Sequence, residues 1–451
     1  MTATYDLGEK RVPRSRQIVW GFGSLGTGLI LNVQTIFYSN YLVDYVGISA
    51  ALVGTLLLVA KLFDLATDLP MGWLSDRTRT PLGRRRPYLL IGAVMAALAF
   101  VALFNVPQSA TAGYALASLL FLSLAYTIYA VPYIAIPSEM TDSSHERSRI
   151  MSWRVVFALI AATFGATLTG FLIDAFGGGS DGFAGMSLVL GAVIGVSCLI
   201  AFFGAPSQSD PVDRQQQQAV PMRQRIALLL DNKPFLLLLT VKILQLLAFA
   251  CNIGIQIFFF VQVVGVSFST YGMLAMWKGL ATICSVGLWT ALSRRISKRV
   301  TYMICATGWG LTTLTWLLAG PGEPLWATAA RFVFIGLFAS GQILMGLSIL
   351  TDTIEYDRRR TGLRREGLYS GIYTSAEKFA FAAAPAVSGV YLTMAGYEPG
   401  LGAFAGQPAS AITAIYVLLA VVPAVLNAVS VGVLYFLNLD DERIKAGAAA
   451  G

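Results

Sequence analysis

Asp64 and Asp68 stand four residues apart in "KLFDLATDLPMGW", an otherwise apolar run, with Lys61 three residues before the first of them. In a helix this spacing puts both carboxylates on one face. A charged side chain at mid-membrane costs roughly 2.5–3.5 kcal/mol, so such residues face a cavity or a partner. Two acids side by side are poor glue between helices. They supply either hard oxygens for Na⁺ or a site that takes up and releases a proton. A lysine nearby would compensate their charge when the cation is absent. Lys378, in "SAEKFAFAAAP", is the first candidate for that role and Lys61 the next. A cavity neutralised by cation and solute together could then reorient.

Further polar residues lie in apolar surroundings, each with a plainer reading beside the functional one. Arg154 opens one apolar run, and Glu377 precedes Lys378 in another. Asp352, Glu355 and Asp357 stand either at a cytoplasmic mouth or as interfacial pairs for Arg358 to Arg360. Lys242, Gln245, Asn252 and Gln256 recur at helical spacing, as substrate contacts or as interhelical glue. Lys278 reads as a side chain that snorkels to the outer interface. Cys198, Cys251, Cys284 and Cys305 lack ligand spacing for zinc and read as small buried residues. The single histidine, His145, falls in the expected loop "DSSHERSR". No HExxH, GxSxG or GxxxxGK[ST] pattern is present, which argues against an intramembrane enzyme or an ATP-driven pump. A receptor would carry a soluble signalling domain, and no stretch reads as one.

The elements that must position these residues are membrane spans. The chain has 451 residues, 56% hydrophobic and 12% charged, about half the charged fraction usual for a soluble domain. Apolar runs of roughly 20 residues, enough to cross a bilayer as a helix, recur throughout. Twelve are expected, near 17–43, 49–75, 88–106, 112–137, 150–175, 184–205, 234–263, 268–292, 300–319, 324–352, 367–395 and 409–437. The polar opening "MTATYDLGEKRVPRSRQ" leads into a full span rather than a short signal core, so no cleaved signal is expected. Lys and Arg crowd alternate loops, which predicts cytoplasmic termini. That asymmetry and anionic lipid account for the net charge of +8, so nucleic acid is not an expected partner. The lipid bilayer and a small-molecule substrate are. No cofactor is expected beyond a coupling ion.

The organisation reads as an N-terminal six-helix bundle over 1–205, a cytoplasmic linker over 206–233, a second six-helix bundle over 234–437 and a tail over 438–451. Within the linker, "MRQRIALLL" has the pattern of a short amphipathic helix. Two bundles with polar groups at mid-depth suggest a transporter that rocks around a central site. The fold expected is therefore all-α, in a bacterial inner membrane, working as a monomer.

"DLATDLPMGWLSDRTRTPLGRRRPYLL" resembles the second-span signature of the glycoside–pentoside–hexuronide:cation symporters, a branch of the major facilitator superfamily typified by melibiose permease. "VPYIAIPSEMTDSSHERSRIMSWR" and "TDTIEYDRRRTGLRREGLYSGIYTSAEKFAFA" extend the resemblance to spans four, five, ten and eleven. The resemblance implies cation-coupled symport of a sugar-like solute. It places cation binding at Asp64 and Asp68, with Lys378 near that site and Arg154 at the sugar. It makes the stretch from Gly72 to Arg86 a cytoplasmic gate, with Asp76, Arg77, Arg84 and Arg85, and Asp352 and Glu355 near the cytoplasmic mouth are counted with it. Two departures stand out. Ala130 in "YAVPY" replaces a span-four aspartate, and Thr27 and Gly28 replace a span-one Lys–Asp pair. Fewer anionic oxygens favour H⁺ over Na⁺ and count against a galactoside. Tyr126, Tyr129 and Tyr133, with Asn32 and Gln34, offer stacking and hydrogen bonds instead, joined by Asn252 and Gln256. An amphiphilic, lipid-like solute is the alternative substrate, since a related branch handles lysolipids.

Overall fold

The computed structural model of the protein describes residues 12–107, 111–141, 143–206, 232–361, 366–401 and 406–437. All regular structure among the described residues is helical. Nine helices there are long and apolar enough to span a bilayer. Of the other three expected spans, 17–43 and 300–319 are broken into shorter helical pieces, whereas 367–395 is one continuous helix, Glu366–Met394, with Glu377 and Lys378 inside it. The expected amphipathic linker helix, the tail and the basic residues Lys10, Arg11, Arg214, Arg223, Arg225, Arg364 and Arg365 lie outside the described residues.

One packed unit comprises residues 12–41 and 59–206. Its helices are α1 (Arg14–Gly21), α2 (Gly23–Val33), most of α3 (Ala50–Arg77), α4 (Arg86–Leu103), α5 (Thr111–Ala135), α6 (Pro137–Met140), α7 (Ser144–Ala175) and α8 (Gly179–Gly204). Here α4 packs on α5 and α8, and α2 on α7 and α8. Small residues set these crossings, as lipid supplies no hydrophobic drive between helices. A methyl group added at Gly92 would meet the backbone of Tyr129, and one at Gly26 would meet Ser197 and Cys198.

The second unit comprises residues 42–58 and 232–437. It holds α9 (Lys233–Phe258), α10 (Phe268–Arg295), α11 (Lys298–Leu314), α12 (Leu325–Thr361), α13 (Glu366–Met394), α14 (Ala409–Tyr416) and α15 (Val422–Phe436). Side-chain caps define several starts: Asn232 Oδ1 accepts from Phe235 N at 3.1 Å, and Ser267 Oγ accepts from Thr270 N at 3.3 Å. Wide, π-type turns occupy Gln34–Tyr38, Tyr41–Tyr45, Phe259–Val264 and Val417–Val421.

Three helices run further than hydropathy alone predicts. Helix α3 continues to Arg77, so the connection after it is shorter than the expected Gly72–Arg86 stretch. Helix α12 carries Asp352, Glu355 and Asp357 in its final turns. Helix α7 starts at Ser144, which places His145 at a helix start and corrects the expected loop. Polar residues continue a helix readily once an apolar core has nucleated it, because propagation is far easier than initiation.

Candidate functional site

Helix α3 presents Lys61, Asp64 and Asp68 on successive turns of one face. The Lys61 ammonium donates to Asp64 Oδ2 at 3.0 Å. Asp64 Oδ1 is buried and takes no hydrogen bond among the described residues. Asp68 has a different neighbour, the Thr127 hydroxyl of α5, which donates to its Oδ1 at 3.1 Å. Thr67 Oγ1 sits 3.5 Å from that hydroxyl and donates back to the Phe63 carbonyl at 2.9 Å. Asp64 thus binds the ammonium of its own helix, and Asp68 accepts from a hydroxyl of α5.

A small recess opens beside Asp64, lined by Gln34, Lys61, Asp64, Ser123 and Tyr126 among others. Tyr126 lies within electrostatic reach of Arg154, Asp64 and Asp68. Thus Gln34, Tyr126 and Arg154 gather in one region with the aspartates. Asn32 is turned to α7, where its Nδ2 lies 3.4 Å from the Ala162 carbonyl.

Tyr129 and Tyr133 do not line the recess. Both are buried in packing between helices. Tyr129 donates to the Cys198 carbonyl at 3.3 Å, and Tyr133 to the Trp20 carbonyl at 3.0 Å, with its ring stacked on Trp20 at 4.7 Å. Asn252 and Gln256 are likewise internal to the second unit. Asn252 Nδ2 donates to the Leu419 carbonyl and Gln256 Nε2 to Asn252 Oδ1, each at 2.8 Å, while Tyr271 donates to Gln256 Oε1 at 3.3 Å. Of the two readings of that stripe, interhelical glue describes these contacts.

Lys378 is exposed on α13, in the second unit. Close by, Lys242 faces Glu377 at 3.6 Å and lies over the Tyr373 ring at 4.8 Å. Lys278 lies 5.9 Å from the centre of the Phe332 ring.

At the arginine-rich end of the first unit, Arg85 pairs with Asp76 at 2.7 Å and with Glu139 at 3.0 Å, and Arg84 also binds Glu139. Arg77 instead covers Trp73 at 4.0 Å. In the second unit Lys298 holds Asp352 at 2.6 Å and Arg359 holds Glu355 at 2.8 Å. Sequence reasoning missed Glu139, Thr127 and Ser123. The "PSE" corner before α7 was the available signal for Glu139. Threonine and serine in an apolar helix carry no comparable mark.

Residues 19–441 match the family described as MFS/sugar transport protein. The chain belongs to this family. It is the glycoside–pentoside–hexuronide group that the motifs resemble, and its members are transporters, not enzymes. The chain is 28% identical over 441 residues to YagG of Escherichia coli (strain K12), which bears a provisional glycoside/cation symporter name; the match spans 95% of this chain and 93% of YagG. It is 26% identical over 443 residues to the isoprimeverose transporter of Lactiplantibacillus pentosus, spanning 95% and 89%. The crystal structure of the nucleoside transporter NupG superimposes with a TM-score of 0.63 at 14% identity, covering 94% of this chain and 100% of NupG, a likeness of fold. The protein is thus a multi-pass membrane transporter.

Proposed function

We propose that the protein is a cation-coupled symporter of a glycoside-like solute, built as twelve spans in two six-helix bundles with both termini cytoplasmic. The observation that carries this reading is the pair of aspartates one turn apart on one helix face, Asp64 paired with Lys61 and lining a recess, Asp68 bonded by Thr127. The two aspartates together exchange the coupling ion, with Lys61 tethered to Asp64 and Thr127 bonded to Asp68. The ion is H⁺. Two carboxylates and hydroxyls suffice for a proton, whereas Na⁺ needs several oxygens around it. Gln34, Ser123 and Tyr126 hydrogen-bond the solute and Arg154 stands behind Tyr126. Lys378 serves as a second counter-charge, and the Asp76–Arg85–Glu139 cluster and the Asp352 and Glu355 pairs tie the cytoplasmic side.

Transport in proteoliposomes tests this. Radiolabelled glycosides, with isoprimeverose as first probe, are offered with an inward proton gradient in Na⁺-free buffer. Uphill accumulation is expected. Asp68→Asn should abolish it and Asp64→Asn should weaken it, while exchange down a gradient survives. Accumulation that requires Na⁺ at every pH refutes the ion, and wild-type accumulation by both variants refutes the site.

A further inference from the structure

The chain repeats itself at an offset of 218 residues. "YLVDYVGIS" over 41–49 matches "FFVQVVGVS" over 259–267, with Val43 on Val261, Val46 on Val264, Gly47 on Gly265 and Ser49 on Ser267. The backbone repeats as well. Both copies form a wide turn, Tyr41–Tyr45 and Phe259–Val264. Both close it with the same hydrogen bond, Ile48 N to the Leu42 carbonyl and Val266 N to the Phe260 carbonyl, each 3.0 Å. Both then turn at a left-handed glycine, Gly47 at φ 81° and Gly265 at φ 76°, a conformation that side chains with a Cβ rarely adopt.

The copies differ where they meet. Asp44 occupies the position of Gln262, and Gln262 Nε2 donates to Asp44 Oδ2 at 3.3 Å. Tyr397, after α13, donates to Asp44 Oδ1 at 2.8 Å. The Asp44 carboxylate is 1% exposed. Burial first, and the carboxylate second, push the ionisation of the Tyr397 hydroxyl far above its usual range, so it remains a donor. Backbone ties surround this centre: Gly400 N donates to the Val43 carbonyl at 2.8 Å, and Ala51 N to Thr393 Oγ1 at 2.9 Å. The rest of the contact is smooth. Gly54 faces the Pro385 carbonyl and Gly389 faces the Ala50 carbonyl, with no side chain interlocked at either point.

Helix α3 makes this contact consequential. Its first turns, through Leu58, pack in the second unit, and from Val59 onward it packs in the first. One continuous helix cannot keep both attachments if the units move against each other. We propose that Asp44, Gln262 and Tyr397 form a releasable latch at the charge-poor, outer end of the protein, and that the segment 42–58 must part from the second unit for the site to open outward. The latch rests on the transporter reading above. A contact with glycines at its close approaches, centred on one charged acceptor, suits release. Neutral donors dissolve the bond without stranding a second charge.

The lengths of the two side chains allow a swap. Gln262→Glu sets carboxylate against carboxylate at neutral pH. Adding Asp44→Asn restores one amide and one carboxylate of the original combined length, with Tyr397 still able to donate. The full-length protein is prepared with Ala50→Cys, which reports the buried contact, and with Cys251, Cys284 and Cys305 replaced by alanine. Cys198, buried in the first unit, stays as a reporter of general unfolding. A membrane-impermeant maleimide is added outside right-side-out vesicles, without solute or gradient. Gln262→Glu should raise the labelling rate at Ala50→Cys about tenfold or more, and Tyr397→Phe should raise it severalfold, as loss of a bond to a charged acceptor implies. The swap should return it to within about twofold of the parent, while Cys198 stays unlabelled; only a coupled pair behaves so. Unchanged labelling in Gln262→Glu, a swap as reactive as the single variant, or labelling of Cys198 would each overturn the latch. Because no transport is measured, an error in the solute or ion assigned above would leave this result unaffected.

Discussion

Removing the Lys61 ammonium should destabilise the protein through Asp64, and removing both charges together should cost less than the sum. The nitrogen and oxygen are 3.0 Å apart. At an effective dielectric of about 20, that separation corresponds to roughly 5 kcal/mol of Coulomb attraction. The side chains are 29% and 16% exposed, so the value must be discounted. Exposed pairs couple by about 0.2–1 kcal/mol, whereas breaking a fully buried pair costs about 3–5 kcal/mol. The Lys61–Asp64 pair falls between them, with a coupling of about 1–2 kcal/mol. Lys61→Met and Asp64→Asn should each lower the melting temperature in detergent, and the double variant should recover part of the loss. The same cycle run with Lys378→Met identifies which lysine shares the site. Strictly additive losses for Lys61 and Asp64 would refute the internal counter-charge, and non-additivity confined to Lys378 and Asp64 would transfer the role to Lys378. All measurements are made at one pH and salt concentration, because part of the coupling is screened.

Two further outcomes follow from the packing. Glu139→Gln leaves Arg85 buried with Asp76 and removes the carboxylate shared by both arginines; it should lower stability by about 1–3 kcal/mol, with the loss reduced when Arg84→Gln is added, as checked by thermal unfolding of the single and double variants. Gly92→Val would drive two methyl groups into the Tyr129 backbone and should cost about 1–3 kcal/mol or prevent assembly, whereas Gly113→Val, at a position with open space, should not; expression and melting temperature compare the two.

Much of this protein is legible from its sequence because the bilayer imposes a simple rule. Backbone groups in lipid must satisfy one another, so a run of about 20 apolar residues is a helix. The same rule makes any charge inside a run conspicuous, which is why Asp64, Asp68 and Lys61 stand out before any fold is known. Spacing alone also puts Lys61 and Asp64 within reach. Partners on other helices are another matter, because periodicity says which face a residue occupies and not what that face meets. Tyr129 and Tyr133 share a face with Tyr126, yet only Tyr126 reaches the recess; the others satisfy carbonyls of α1 and α8. Asn252 and Gln256 have the polarity of a binding stripe and are satisfied inside their own unit. Thr127 and Glu139 become part of the site only through packing. Asp44 shows the limit most plainly. In sequence it is one acid at the end of a span, where water is near and charge is cheap. The tertiary fold buries it against Gln262 and Tyr397, more than 200 residues away, and burial turns a solvated charge into one that must be held.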